Sequence, residues 1–199
     1  MADSYWKSVR GAIREMRTNP DIKKITFAYR GKKDSSQDDW HKLRNPIRML
    51  FTAFVFEILR KTPPCRIKNS VYRLFGVKIG SGVSIAYNVL PDPLFPEFLT
   101  IEDGVMIGSD CEFATHEFLR KSFTIGRTVI KRNAMISGYN ILRAGVTIGE
   151  NSMTGAYTFV SKDVDKNIFA AGIPAKSIKE INSDAQVPEK EIEIVKYGE

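Results

Sequence analysis

Only two imidazoles occur in this chain, His41 and His116. Imidazole is the side chain whose ordinary pKa lies nearest neutral pH, so it suits proton transfer. His41 follows the polar stretch 31–39 and reads as a solvated surface residue. His116 stands in Thr115-His-Glu-Phe118, where it is either a structural histidine or a proton acceptor. Three carboxylates accompany it: Asp92 and Glu97, which bracket Asp92-Pro-Leu-Phe-Pro-Glu97, and Glu117. Each can bind a polyhydroxy molecule or simply face water, and Glu117 can instead orient His116. Phe95 and Phe118 either line a pocket or pin their loops. Cys65 and Cys111 belong to no Cys-x-x-Cys pair and no Cys/His cluster, which fits reduced, packed thiols of a cytosolic protein. No metal site is expected. There is no GxxxxGK[ST] loop and no GxGxxG turn, so neither a P-loop nor a dinucleotide fold is indicated.

The elements that must position these groups follow a repeat. Stepping by six from Ile130 gives Ile136, Leu142, Ile148, Thr154 and Val160, of which only Thr154 is not aliphatic. The residues two earlier are Thr128, Ala134, Asn140, Val146, Ser152 and Thr158, small or polar except Val146. A period of six fits neither a helix nor a long strand. It fits an all-β solenoid in which six residues make a short strand and a turn, and three hexads close a coil of 18. Ile130 then stacks on Ile148, Ile136 on Thr154 and Leu142 on Val160, with coils roughly 4.8 Å apart. The same grammar runs through Val77–Ile85 and Leu99–Phe113, with breaks between Ile85 and Ile101 and between Phe113 and Ile130. Loops are therefore expected at about 86–97 and 117–127, and loops on a rigid scaffold are where sites are built.

Three regions are expected: a helical, capping segment over 1–65, the solenoid over 66–165, and a turn with an extension over 166–199. Within the first, 3–17 has helical spacing (Trp6, Val9, Ile13, Met16), 31–39 reads as a linker, and 46–60 reads as a second helix opened by Pro46 and stopped before Pro63-Pro64. A short helix is expected at 67–75 and another start at 177–182. The sequence shows no signal peptide and no span long enough to cross a bilayer, so a cytoplasmic location is expected. With 43% hydrophobic residues the chain is globular, and its net charge of +7 fits either an anionic partner (phosphorylated cofactor, nucleic acid or membrane surface) or simply a solvated basic surface. Nothing further points to nucleic acid. Contact of Pro46–Arg60 and its basic neighbours with a membrane surface is one further reading.

Gly145-Val-Thr-Ile-Gly149-Glu-Asn-Ser, Phe159-Val-Ser-Lys-Asp163-Val and Ala171-Gly-Ile-Pro-Ala-Lys176 resemble, in that order, the hexapeptide-repeat acyltransferase family. That family includes the galactoside, maltose and serine O-acetyltransferases. The segments around Asp92 and His116 resemble an uncharacterised bacterial and archaeal acetyltransferase subgroup. The resemblance spans about 66–178 and departs from the family pattern at Arg143-Ala144, which replaces an apolar-Pro turn, and at Met135, where a Trp is common. It implies a left-handed parallel β-helix, a homotrimer with sites between subunits, and acetyl transfer from acetyl-CoA to a small, sugar-like hydroxyl acceptor. By the same resemblance His116 is the general base and the Gly138 backbone N–H faces the thioester oxygen. Ala156, Ser161, Lys162, Pro174, Lys176 and Lys179 would line the CoA site, leaving Asp92, Glu97 and Glu117 for the acceptor. Two alternatives share the coil. A zinc hydratase of the γ-carbonic-anhydrase type needs three histidines on one metal, and only one histidine lies in the repeat. A non-catalytic scaffold or small-ligand binder would not need His116 or the last two motifs.

Overall fold

Aliphatic side chains recurring every sixth residue can all face one enclosed core when the chain turns a corner after each short strand. The computed structural model, which describes residues 2–181, shows this path. Lys78–Ile79, Leu99–Ile101, Thr128–Ile130 and Thr147–Ile148 form one parallel sheet, the first face. Ser84–Ile85, Met106–Ile107, Met135–Ile136, Met153–Thr154 and Ile168–Ala171 pair in parallel as the second face. Leu90–Pro91, Glu112–Phe113, Ile141–Leu142 and Phe159–Val160 form the third. The chain visits the three faces in rotation, so it coils around a three-sided prism.

The register matches the hexads. Ile130 pairs with Ile148, Ile136 with Thr154 and Leu142 with Val160. These side chains are fully buried, and each aliphatic one stabilises the prism by about 1.5–3 kcal/mol. The smaller inward residues fill the corners. Asn140 is buried because its Nδ2 donates to the carbonyls of Ser137, Gly138 and Gly155 at 2.9, 3.1 and 2.9 Å. Left-handed backbone conformations recur at the corners, with Asn133, Asn151 and Asn167 on the first–second edge and Asp110, Tyr139 and Tyr157 on the second–third edge.

Three sequence expectations need correction. The break at 86–97 is shorter than expected, because Leu90–Pro91 is a strand and Pro91 pairs with Phe113. Pro91 lies six residues after Ile85 and holds the frame; only 92–98 departs from it, inserting four residues before Ile101. The segment 117–127 is no irregular loop. His116–Leu119 and Ser122–Gly126 form an antiparallel hairpin, and Lys24–Ala28 adds a third strand beside Ser122–Gly126. In place of the helix start expected at 177–182, Lys176–Glu180 forms a strand antiparallel to Ile168–Ala171, while 182 and the rest of the expected extension lie outside the described residues. Ile168–Ala171 itself pairs with Met153–Thr154, which carries the coil past residue 165.

The helices divide their work. Helix α1 (Ala2–Thr18) buries Trp6, Val9, Ile13 and Met16 in a second core, with Leu94, Phe95, Phe98, Phe123 and Ile125. It therefore packs on the hairpin and the 92–98 insert. Helix α2 (Pro46–Arg60) starts where the Asn45 side chain accepts from the Arg48 N–H at 3.2 Å. Together with α3 (Arg66–Leu74) it plugs the open end of the prism with Phe56, Leu59 and Tyr72. Such a plug covers the edges a first coil would otherwise leave open. Between α1 and α2, residues expected as a linker include a 3-10 helix, Ser36–Lys42. His41 is exposed there.

Candidate active site

The third–first edge carries the two inserts, and they meet at His116. Its Nδ1 lies 2.5 Å from Asp92 Oδ2. That oxygen also accepts from the Thr115 N–H at 2.9 Å and the Thr115 hydroxyl at 2.7 Å, while Oδ1 accepts from the Leu94 N–H at 2.8 Å. Burial pushes the Asp92 carboxyl up, but the hydrogen bond and charge of His116 and the two bonds from Thr115 outweigh it. Its pKa ends below the ordinary carboxylate range, so it is ionised at neutral pH. An ionised carboxylate at Nδ1 holds the proton on that nitrogen and leaves the Nε2 lone pair outward. Phe118 and Phe95 flank the ring edge-on, with centroids 4.9 and 6.1 Å away. The imidazole is therefore fixed in tautomer and orientation, yet about a quarter of its side chain stays open to solvent.

The other two carboxylates have internal partners as well. Glu117 takes both arms of Arg143, at 2.8 and 2.5 Å, and accepts from the Ala144 N–H at 3.2 Å. Arg143 lowers the Glu117 pKa against the cost of partial burial. The Arg143-Ala144 turn that departs from the family pattern is thus the clamp on the hairpin. Glu97 Oε1 receives Arg17 at 2.9 Å and Arg44 at 2.6 Å, while its buried Oε2 has no partner among the described residues. That carboxylate borders a cavity of about 580 Å³ lined also by Arg17, Arg44, Arg48, Lys78 and Phe98. Asp92 therefore lies beneath His116, Glu117 on the hairpin clamp and Glu97 at a separate cavity. The sequence signals for Thr115 and Arg143 were adjacency to His116 and that odd turn; Arg17 and Arg44 carried none.

Gly138 lies on a different edge, the second–third. Its N–H has no acceptor among the described residues. A Cβ added to Gly108, one coil below, would come within 2.6 Å of the Gly138 nitrogen, which explains glycine at that level. Gly138, Ala156 and Pro174 follow one another at 18-residue intervals, and Tyr157 N–H donates to Gly138 O at 3.1 Å. Tyr139 and Tyr157, both exposed, stack beside them with centroids 4.6 Å apart. Ser161 and Lys162 sit at the third–first corner, on the His116 side. Lys176 and Lys179 are exposed on the closing strand. Cys111 is fully buried, and burial pushes its thiol up to about 11, which suits core packing and not nucleophilic attack.

No family model matches the chain. A protein of Bacillus subtilis (strain 168) named "Putative acetyltransferase YvoF" is 32% identical over 142 residues, covering 70% of this chain and 83% of that one. The galactoside O-acetyltransferase of Escherichia coli (strain K12) is 33% identical over 126 residues, covering 58% and 61% respectively. A solved galactoside acetyltransferase in complex with coenzyme A superimposes with a TM-score of 0.56 over 92% of this chain and 98% of that one, at 16% identity. A hexapeptide-repeat acetyltransferase of Vibrio cholerae, solved with acetyl-CoA, gives 0.54 over 67% and 87%, at 22% identity. The structural likenesses establish a shared fold. Together with the sequence relatives they place this chain in the hexapeptide-repeat acyltransferase family. It is accordingly an enzyme of the CoA-dependent acetyltransferase class.

Proposed function

We propose that the chain moves an acetyl group from acetyl-CoA to a hydroxyl of a small, sugar-like acceptor, with His116 as general base. Nε2 takes the acceptor's hydroxyl proton as its oxygen attacks the thioester carbonyl. The oxyanion of the tetrahedral intermediate is met by the Gly138 N–H. The C–S bond then breaks, and the leaving thiolate recovers the proton from the imidazolium. The observation that carries this reading is the Asp92 contact at Nδ1, which leaves Nε2 free to accept a proton and stabilises the imidazolium that forms. The nucleophile is the acceptor, so no activated serine or cysteine is required.

The reading extends to the assembly. His116 and Gly138 occupy different edges of one prism, so a single chain does not set them facing each other. A homotrimer, in which the third–first edge of one subunit meets the second–third edge of the next, brings them together. In that groove Ala156 and Pro174 would flank the donor's arm, Ser161 and Lys162 would approach from the His116 side, and Lys176 and Lys179 would supply point charges for its phosphates. The coil is taken as left-handed, with 1–65 as a capping segment and the remainder beyond the coil as an extension. Asp92, proposed from sequence as an acceptor ligand, is better assigned to positioning His116. Glu117, next to His116, and Glu97, at its separate cavity, remain acceptor candidates. Catalysis is placed in the cytoplasm, the compartment in which acyl-CoA thioesters are made.

The test is thiol release from acetyl-CoA across a panel of hydroxyl acceptors, comparing wild type with His116→Ala. Turnover is expected to fall by about 10²–10⁴, with folding and CoA binding unchanged. Near-full turnover of the variant with the best acceptor would remove His116 from the mechanism.

A further inference from the structure

The outer face of α2 has no partner. Ile47, Leu50, Phe51, Phe54 and Ile58 follow helical spacing along it, and each is more than half exposed. Thr52, Phe56 and Leu59 on the opposite face are buried in the prism plug. Ile67 and Leu74 on α3 are equally open. A contiguous apolar ridge of this kind on a folded chain marks a surface that something covers.

Charge identifies what covers it. Between Lys42 and Lys78 the sequence holds nine of the chain's 30 Lys and Arg and one of its 23 Asp and Glu. The remaining 162 residues carry 21 cations against 22 anions, so the net positive charge of the chain resides in this one segment. Arg48, Lys61, Arg66, Arg73 and Lys78 are exposed around the ridge, and the single acid, Glu57, is paired with Arg60 at 3.3 Å. The arginine-lined cavity opens beside the first turn of α2, since Asn45 and Arg48 also line it. A two-fold contact with a second copy fits this face poorly, because it would set each cationic rim against its equivalent. No helix among the described residues is long and apolar enough to cross a membrane. An apolar ridge within a cationic rim is instead the pattern of a helix lying in the headgroup layer.

From this we infer that α2 docks the enzyme onto an anionic lipid bilayer, with Leu50, Phe51 and Phe54 entering the interface and Arg48, Lys61 and Arg66 meeting acidic headgroups. The inference does not depend on the acceptor or on the base.

The experiment is co-flotation of the full chain with vesicles of phosphatidylcholine alone or mixed with phosphatidylglycerol. Wild type is expected to float with the mixed vesicles and to stay behind with the neutral ones. Leu50→Asp/Phe54→Asp and, separately, Arg48→Gln/Lys61→Gln/Arg66→Gln should each weaken binding roughly tenfold or more. All five positions are exposed or rim residues, so melting temperature and acetyl-CoA turnover in solution should be unchanged. Failure of wild type to float with anionic vesicles overturns the inference, as does equal binding to neutral ones. So does a drop in solution mass of the Leu50→Asp/Phe54→Asp variant, which would make the ridge a contact between copies.

Discussion

The prism and the layer beside it are both well packed, but they are held together differently. In the prism each coil repeats the contacts of the last, and its backbone bonds run from coil to coil through parallel pairs. The second core is assembled once, from parts far apart in sequence: α1, the strand Lys24–Ala28, the insert 92–98 and the hairpin 116–126. Phe123 stacks on Phe27 at 4.8 Å and lies 6.3 Å from Trp6. His116 sits at the seam. Its backbone leaves the prism, its ring is buttressed by Phe118 from the hairpin, and its orienting carboxylate comes from the insert. The repeating region supplies rigidity, and the unique region supplies aim.

Substitutions can separate the two roles. Among these, Asp92→Asn should have the largest effect, lowering turnover by about 10²–10⁴, as far as loss of the proposed base itself. An amide there can donate to Nδ1, which moves the proton to Nε2 and removes the lone pair on which the proposed base depends. Nitrogen-15 NMR of the ring should show the exchanged tautomer, and an unchanged tautomer with low turnover would mean that Asp92 acts only through packing.

Next in size are two core deletions. Leu142→Ala in the prism should cost about 2–5 kcal/mol, and Phe123→Ala in the second core about 3–5 kcal/mol. Hydrogen exchange should distinguish them. Phe123→Ala is expected to speed exchange over 24–28 and 116–126 and to lower turnover, while residues 129–160 stay protected. Leu142→Ala should loosen both regions. If Phe123→Ala also opens the coil, the two regions are one cooperative unit and the contrast fails.

Lys68 offers a smaller effect at the plug. Its buried Nζ donates to the carbonyls of Thr62 and Ala86 at 3.0 and 2.8 Å, and burial lowers its pKa to about 8. The unfolded chain keeps that proton up to about pH 10.4. Between those values the unfolded state binds more protons, so this group makes stability rise with pH. Lys68→Met should flatten that rise in denaturant titrations at pH 8 and 10, and should cost about 1–3 kcal/mol through the stranded carbonyls. The smallest effect is expected for Arg143→Ala. Its ion pair with Glu117 is partly exposed, so the stability loss should stay near or below about 1 kcal/mol, read as a shift in melting temperature.

The same contrast explains what was legible in the sequence. The hexads disclosed the prism and its register because each position answers to one local rule, inward or small. Pro91 hid a strand, since proline discourages a strand assignment even though an end coil can use it. Lys24–Ala28 stayed hidden because its partner strand lies about a hundred residues away, and the hairpin because no period of the repeat marks it. His116 was visible through its motif. The role of Asp92 was not, because the sequence around an acidic residue gives no sign that it is folded inward onto four donors. Glu97 and Glu117 likewise met arginines that no spacing announced.

The frame positions Pro91 and Ile101, and again Phe113 and Ile130, keep step across intervals of quite different length. The ladder is indifferent to how much chain is spliced between rungs, provided the next rung is found. A splice can therefore gain or lose residues at an exposed tip with the scaffold untouched. A fold of this kind separates inherited architecture from local variation: the exposed tip of the hairpin is free to change, while Asp92, His116 and the buried Phe95, Phe98, Phe123 and Ile125 must stay in place.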